Sequence, residues 1–358
     1  MEDRPASEPG HVAPDHMEWL RSVTRVLRQY DIGGIGSITE FKRGSRKSPK
    51  LLIRTERGSL LLKQRARGRF DEERIRMSHE FQFHLGDNGF PVAPLVRTMD
   101  GRSWVHENEL VFELFRFIDG GRCDKSPAQT EIAGEILGRL HSLSVTSPIS
   151  SDSQHSSFHD SGMLEPAIGR LASSILKVEP GTDPTRIESV ALDMMSLYRE
   201  SVAHVSELGF DSWDRSVIHG DWHPGNLIFI DGKVIAVIDF DTIREEPLVI
   251  DLANGALQFS SSSIRGASPL SWPVSIDLER MAAFIRGYRE SGSPLQDTAF
   301  LRAIPWLMIE ALIIEAVVPI AQEGRFADIS GWSFLVMAHQ RARWIHTRIQ
   351  RITEILRT

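Results

Sequence analysis

Residues 217–241 read VIHGDWHPGNLIFIDGKVIAVIDFD. Two apolar runs, LIFI and KVIAVI, meet at Asp231-Gly232, and this dipeptide is a strong hairpin signal because a two-residue turn needs positive φ at both central positions. Asp231 and Gly232 are therefore turn chemistry, and VIHGD reads as a strand running out into a loop. That leaves His219, Asp221, His223, Asn226, Asp239 and Asp241 crowded at strand ends and in the connecting loop. Strand ends are where a rigid scaffold can present polar groups to a ligand.

The chain on either side changes character. Residues 1–15 are acidic and proline-bearing and read as a disordered tail. Residues 16–115 form a mixed, strand-rich portion: a helix from Met17, β-like runs at Ile38–Lys42, KLLIRTE and SLLLKQR with a turn at ERG, a helix through MSHEFQFHL, then strands at PVAPLVR and ELVFELFR. A short hinge is expected at residues 116–121. From residue 122 to 358 the pattern turns helical, beginning with AQTEIAGEILGRLHSL, where Ile132, Ile136, Leu137, Leu140 and Leu143 share one side. The expected class is α+β, a small β-rich N-lobe joined to a larger, mainly helical C-lobe. A length of 358 residues also favours two lobes over one core.

Composition excludes several functions. The single cysteine, Cys123, rules out an internal disulfide framework and a zinc–thiolate site and fits a reducing cytosol. No apolar run near the N-terminus resembles a signal peptide. The most apolar stretch, AIPWLMIEALIIEAVVPIA, is interrupted by Glu310 and Glu315 and reads as a buried helix, so a cytoplasmic protein without a membrane partner is expected. The net charge of −7 argues against nucleic acid, although residues 41–76 hold thirteen Lys/Arg against four Asp/Glu. That basic run lacks interleaved aromatics and reads as a solvated strand face, part of it near nucleotide phosphates. His155 and His159 have helical ligand spacing but no third ligand nearby.

The polar cluster matches one chemistry well. Moving a phosphoryl group from ATP to a hydroxyl needs a group that orients the hydroxyl proton and hard oxygen ligands for Mg²⁺. A kinase catalytic loop places four residues between its Asp and its Asn. WHPG separates Asp221 from Asn226 by that same spacing, and Asp239, followed by Phe240, falls where a metal-binding Asp would follow.

HGDWHPGN together with IDFD and the downstream PLVIDLA resembles the aminoglycoside phosphotransferase and choline/homoserine kinase group, the small-molecule branch of the protein-kinase-like fold. The resemblance spans about residues 17–340 and is sharp at 219–253. It implies Asp221 as catalytic base, Asn226 and Asp239 as Mg²⁺ ligands, and His219 as support of the loop. It further implies a strand lysine on the ATP phosphates, matched by Lys63, and a helix glutamate pairing with it, matched by Glu80 with Glu73 as rival. Leu114, Phe115 and Phe117, within the run Leu114 to Phe117, would offer backbone groups to adenine at the hinge. The phosphate-covering loop, EFKRGSRKSPK, has only Gly44, with Ser45 and Ser48 as donors, and departs from the glycine-rich pattern.

Several supporting residues keep two readings. His223 touches substrate or phosphate, or packs the loop. Asp241 backs the metal or the substrate site. Asp251 holds the catalytic loop or caps its helix, and Trp222 lines the pocket or packs. One of Glu310 and Glu315 faces the pocket, or they pair with C-terminal arginines. The expected partner is a small-molecule hydroxyl acceptor: an amino alcohol, an amino acid such as homoserine, a sugar or an aminoglycoside. GFPVAPLVRTMDGRSWV tilts that choice towards a metabolic acceptor. A protein kinase is disfavoured because only eleven residues lie between Asp239 and Asp251, and a catalytically inactive nucleotide-binding module is the third reading. The sequence leaves the oligomeric state open.

Overall fold

The computed structural model describes residues 14–42, 48–65, 71–149, 158–264, 266–295 and 298–357. Gly44 and Ser45 of the expected phosphate loop, His155 and most of the expected tail lie outside the described residues. Two compact units divide the rest: one takes the described residues up to Phe83 together with Ala93–Asp119, the other His84–Val92 and those from Gly120 onward.

The first unit runs α1 (Pro14–Leu27), β1 (Ile35–Glu40), β2 (Lys50–Thr55), β3 (Gly58–Gln64), α2 (Glu72–Asp87, its last turn counted with the second unit), β4 (Val105–Glu107) and β5 (Leu110–Arg116). Its strands form a five-stranded antiparallel sheet in the order β1-β2-β3-β5-β4. The expected ERG turn closes β2 on β3 with Thr55 opposite Gly58, and Thr55 Oγ1 donates to the Gly58 carbonyl at 2.9 Å. Side chains alternate along a strand, so Leu60 and Leu62 join Leu51, Ile53, Phe112 and Leu114 on one face. There they pack with Val23, Val26 and Leu27 of α1. Lys63 and Glu113 lie on the opposite face.

Two expectations for this region change. PVAPLVR forms only isolated bridges, Val92 with Val237 and Leu95 with Phe115, because Pro91 and Pro94 have no N–H to give a ladder. The strand β4 was absent from the sequence reading; its hairpin with β5 turns at Asn108 and Glu109, both at positive φ without a glycine to signal it.

The second unit opens with β6 (Gly121–Arg122), α3 (Pro127–Val145), α4 (Leu164–Val178) and α5 (Pro184–Glu207). Next come β7 (Arg215–Ile218), β8 (Leu227–Ile230), β9 (Lys233–Val237) and β10 (Arg244–Pro247). Then follow α6 (Val249–Ser260), α7 (Leu278–Glu290), α8 (Thr298–Glu323), β11 (Arg325–Phe326), β12 (Ile329–Ser330), α9 (Gly331–His346) and α10 (Ile349–Arg357). The fold is α+β, with a small antiparallel sheet early in the chain and mainly helix after it. Helix α3 starts on Ser126, whose side chain caps Gln129 N–H. It meets α7 at backbone distance: a Cβ on Gly134 would overlap the Phe284 carbonyl, and one on Gly287 the Glu131 carbonyl. Helix α8 is long and apolar enough to cross a membrane by length and composition, yet 83% of its most apolar window is buried inside the protein. It is a core helix, with Leu307, Met308, Ile309 and Ile313 fully enclosed, each such side chain worth about 1.5–3 kcal/mol of burial.

Candidate active site

The hairpin β8–β9 fixes the site's frame. Asp231 (φ 48°) and Gly232 (φ 76°) form the expected two-residue turn, with Ile230 opposite Lys233. At the end of this ribbon away from that turn, where Leu227 pairs with Val237, Pro224–Asn226 makes a 3-10 turn and the chain leaves β9 through Asp239. Asp239 is left-handed at φ 68°, ψ 57°, a conformation a non-glycine residue adopts at a cost of about 1 kcal/mol or more. The cost is met where the chain must turn an exposed carboxylate out of a buried strand.

One buried carboxylate sets the loop that carries Asp221. Asp251, on the first turn of α6 and wholly enclosed, accepts the His219 N–H on Oδ2 at 2.6 Å and the Gly220 N–H on Oδ1 at 2.8 Å. Behind it, His141 of α3 approaches the same carboxylate at 3.5 Å through Nε2, and its Nδ1 meets the Tyr288 hydroxyl of α7 at 2.7 Å. Burial works against the Asp251 carboxylate, but His141, His219 and the Gly220 N–H prevail and hold its pKa below the usual range. Gly220 sits at φ 78°, and a Cβ there would strike the Thr242 carbonyl and the Arg244 guanidinium. Only glycine fits this turn.

His219 links the two halves of the site. Its Nε2 lies 3.1 Å from the Ile238 carbonyl, next to Asp239, so this nitrogen carries the proton. Its Nδ1 then accepts the Asp221 N–H at 3.3 Å, and its own carbonyl accepts the Thr242 hydroxyl at 3.0 Å. The ring packs edge-on to Trp222 and against Phe240.

Asp221 is half-exposed at the tip of this frame. Asn226 Nδ2 donates to the Asp221 carbonyl at 2.9 Å and to its carboxylate at 3.3 Å. The amide nitrogen of Asn226 is thus spent on Asp221, which leaves its side-chain carbonyl oxygen for another partner. The Ile238 N–H donates to the Asn226 carbonyl at 3.0 Å, which ties this turn to the strand leading to Asp239. His223 Nε2 is 3.5 Å from the Asp221 carboxylate, and its Nδ1 accepts the Gly225 N–H. Burial alone would lower the His223 pKa; Asp221, Asp239 and Glu315 together raise it above the ordinary imidazole value. Asp241 is half-buried in the 3-10 turn Phe240–Thr242.

The carboxylates of α8 resolve differently from the expected arginine pairs. Glu310 is fully buried and pairs with His159 at 2.8 Å, and its Oε1 has no hydrogen-bond partner. Burial pushes its pKa up to about 7 against the pull of His159. His159 is therefore a carboxylate partner, and among the described residues no three or more His, Cys, Asp or Glu side chains gather as a metal cluster. Glu315 meets Gln258 of α6 at 2.8 Å. Burial and the charge of Asp221 push its pKa up to about 8, while His223, Gln258 and Arg244 oppose them. Nothing local in the sequence marks Gln258 or Tyr288 as part of this site, and only a lone histidine inside ILGRLHSL marks His141.

The first unit holds the residues expected at the nucleotide. Lys63 is buried on β3, opposite Glu113 in the register. Glu80 lies at the exposed side of α2 and pairs with Arg76 at 3.5 Å, and Glu73 is exposed too. The buried carboxylate facing β3 is Glu113, whose Oε1 binds Arg65 and His79, each at 2.7 Å. Leu114 packs in the α1-side core, and its carbonyl accepts the Val96 N–H. Phe115 bridges Leu95, while Phe117 donates its N–H to Ser59 and meets Phe41 edge-on.

The Escherichia coli (strain K12) protein "Stress response kinase A" is 25% identical over 186 residues, 51% of this chain and 52% of that protein. The chain spans about half the length of the curated relatives it matches. Among solved structures, the microcompartment-associated aminopropanol kinase superposes with a TM-score of 0.66 at 14% identity, covering 93% of this chain and 98% of that one. The amicoumacin kinase hAmiN, in complex with AMP-PNP, Ca²⁺ and Ami, gives a TM-score of 0.65 at 15% identity, covering 93% and 94%. Choline kinase LicA from Streptococcus pneumoniae gives 0.56 at 17%, covering 93% and 99%. These structures share the kinase-like fold. The sequence pattern of the phosphotransferase enzyme family (APH) matches residues 37–303, well over half the chain, and the protein belongs to that family.

Proposed function

We propose that the protein transfers the γ-phosphoryl group of ATP to a hydroxyl of a small molecule, with Mg²⁺ as the metal. The observation that carries this reading is the coupling of Asp221 and Asn226: one amide group binds both the carbonyl and the carboxylate of Asp221 and keeps its own oxygen available. That oxygen and the Asp239 carboxylate are hard donors of the kind Mg²⁺ takes, so the residues fit the ion. Bound there, Mg²⁺ supplies neutralisation of charge on the transferring phosphate.

Asp221 orients the acceptor hydroxyl and takes its proton late, since a loose transition state asks little of a strong base. Its position is inherited from Asp251 through two backbone N–H groups, and from His219. Lys63 holds the nucleotide phosphates. Glu315 supports an amine-bearing acceptor: its half-buried carboxyl feels Asp221, and Gln258 is its hydrogen-bond partner. With its pKa pushed up to about 8 the side chain holds its proton at neutral pH, and an ammonium group arriving beside it would favour the charged form. Three structural neighbours, an amicoumacin kinase, an aminopropanol kinase and a choline kinase, support such an acceptor.

The test is ADP release and acceptor mass shift with Mg·ATP against amino alcohols, aminoglycosides and sugars. Asp221→Ala is expected to abolish turnover while ATP still binds. Turnover retained in that variant, or no turnover of the unaltered protein with any acceptor, overturns the reading.

A further inference from the structure

The nucleotide side of the first unit contains a carboxylate that the reading above does not use. Glu113, on β5, is 1% exposed and stands opposite Lys63 of β3 in the antiparallel register. Directly opposed residues share a face, with Cβ atoms about 4.5–5.5 Å apart. One oxygen, Oε1, is taken: Arg65 donates through Nε at 2.8 Å and Nη2 at 2.7 Å, and His79 Nε2 stands at 2.7 Å. The other oxygen, Oε2, is buried with no hydrogen-bond partner. A buried carboxylate oxygen left open costs free energy unless something fills it. Burial opposes ionisation of Glu113, but Arg65, His79 and Lys63 outweigh it and hold its pKa well below the carboxylate range, so the oxygen carries charge at neutral pH.

The helix glutamate that would ordinarily serve a strand lysine is turned away here. Glu80 is nearly half exposed and occupied with Arg76. The α2 residue that reaches the sheet is His79, held from behind by Ser103 at 2.8 Å. Helix α2 is thus connected to the basic face of β3 through an imidazole and a strand carboxylate.

We propose that Glu113, and not Glu80, is the positioning residue for Lys63: its open Oε2 receives the Lys63 ammonium and aims it at the nucleotide phosphates, while Arg65 and His79 hold the carboxylate in place. The proposal rests on the reading of Lys63 as the phosphate-binding lysine. It differs from that reading in what it demands of Glu113.

The experiment measures the affinity of Mg·ATP and of adenosine, which has no phosphates, by titration calorimetry. The proteins are the unaltered chain, Lys63→Met, Glu113→Gln, Lys63→Met/Glu113→Gln and Arg65→Met/Glu113→Gln. The last removes both buried charges together, which is commonly tolerated where removing one is not, and so keeps a folded protein available. Loss of Glu113 in either form is expected to weaken ATP about tenfold, the order of one charge-assisted hydrogen bond, with adenosine unchanged. In the Lys63→Met background Glu113→Gln adds no further loss, because the two act as one unit. ATP affinity retained without Glu113, an equal loss for adenosine, or full additivity with Lys63→Met overturns the proposal. If Lys63→Met itself leaves ATP affinity intact, the phosphate role of Lys63 fails first and the proposal falls with it.

Discussion

Asp251→Asn tests whether the catalytic loop hangs from helix α6. The substitution keeps the side chain's shape and removes its charge. In the protein both carboxylate oxygens accept backbone N–H groups, His219 on one and Gly220 on the other. An amide presents one oxygen and one NH₂, so either orientation sets an N–H donor against one of them. Turning the NH₂ towards Oδ2's place offers a donor to His141 but strands the His219 N–H; the other orientation strands the Gly220 N–H. The loss is one charge-assisted hydrogen bond, about 1.5–3 kcal/mol, plus one buried N–H left unpaired, about 1–3 kcal/mol. Together the change should destabilise the protein by roughly 2.5–6 kcal/mol, read as a fall in the urea midpoint at constant slope. The loop's turn also loosens, and displacement of a catalytic group by about 1 Å can lower turnover by about a hundredfold. Nucleotide affinity should stay close to that of the unaltered protein, because Asp251 touches no expected nucleotide residue. A variant within about 1 kcal/mol of the parent, with turnover intact, would refute the reasoning, since the two backbone bonds would then not be holding the loop.

Glu310→Gln should flatten the pH dependence of stability. The carboxyl rises from 4.5 to about 7 on folding, so the folded state holds its proton more tightly and stability is greatest below pH 4.5, falling as pH rises towards 7 and level above. At about 1.4 kcal/mol per pKa unit the cost above pH 7 is about 3 kcal/mol. Urea midpoints measured from pH 5 to 8 should diverge in favour of the variant as pH rises; parallel curves would count against the assignment. Glu315→Gln should raise the KM of an amine-bearing acceptor about tenfold, the order of one charge-assisted bond, and leave the KM of ATP alone; an equal rise in both, or none, speaks against Glu315 as the amine's partner.

The parts of the chain that were legible are those set by neighbours in sequence. Asp231-Gly232 announced its own turn, and the apolar alternation of β2, β3, β8 and β9 announced strands. The core character of α8 followed from its length and its two interrupting glutamates. What could not be read depends on register and on distant contacts. Glu113 lies in ELVFELFR, an apolar strand with one carboxylate, and nothing local says that it meets Arg65 and His79. That follows only once β3 and β5 are paired with Lys63 opposite Glu113. Helix α2 presents His79 to the sheet and Glu80 to solvent, a difference of one position that nothing local in MSHEFQFHL marks. His159 with Glu310, residues 151 apart, is the same kind of contact. Strand β10, REEP, carries two glutamates and an arginine and is a strand because β7 pairs with it.

Asp251 lies at no exposed surface, and the groups that position it, His141 and Tyr288, belong to α3 and α7, which are packed backbone to backbone through glycines. The loop bearing Asp221 is therefore shaped before any substrate arrives, and binding need not spend free energy on ordering it. Its amide protons at His219 and Gly220 can exchange with water only when the helices behind them part. Heating should accordingly silence this site at the same temperature at which the helical unit melts, with no earlier, local loss.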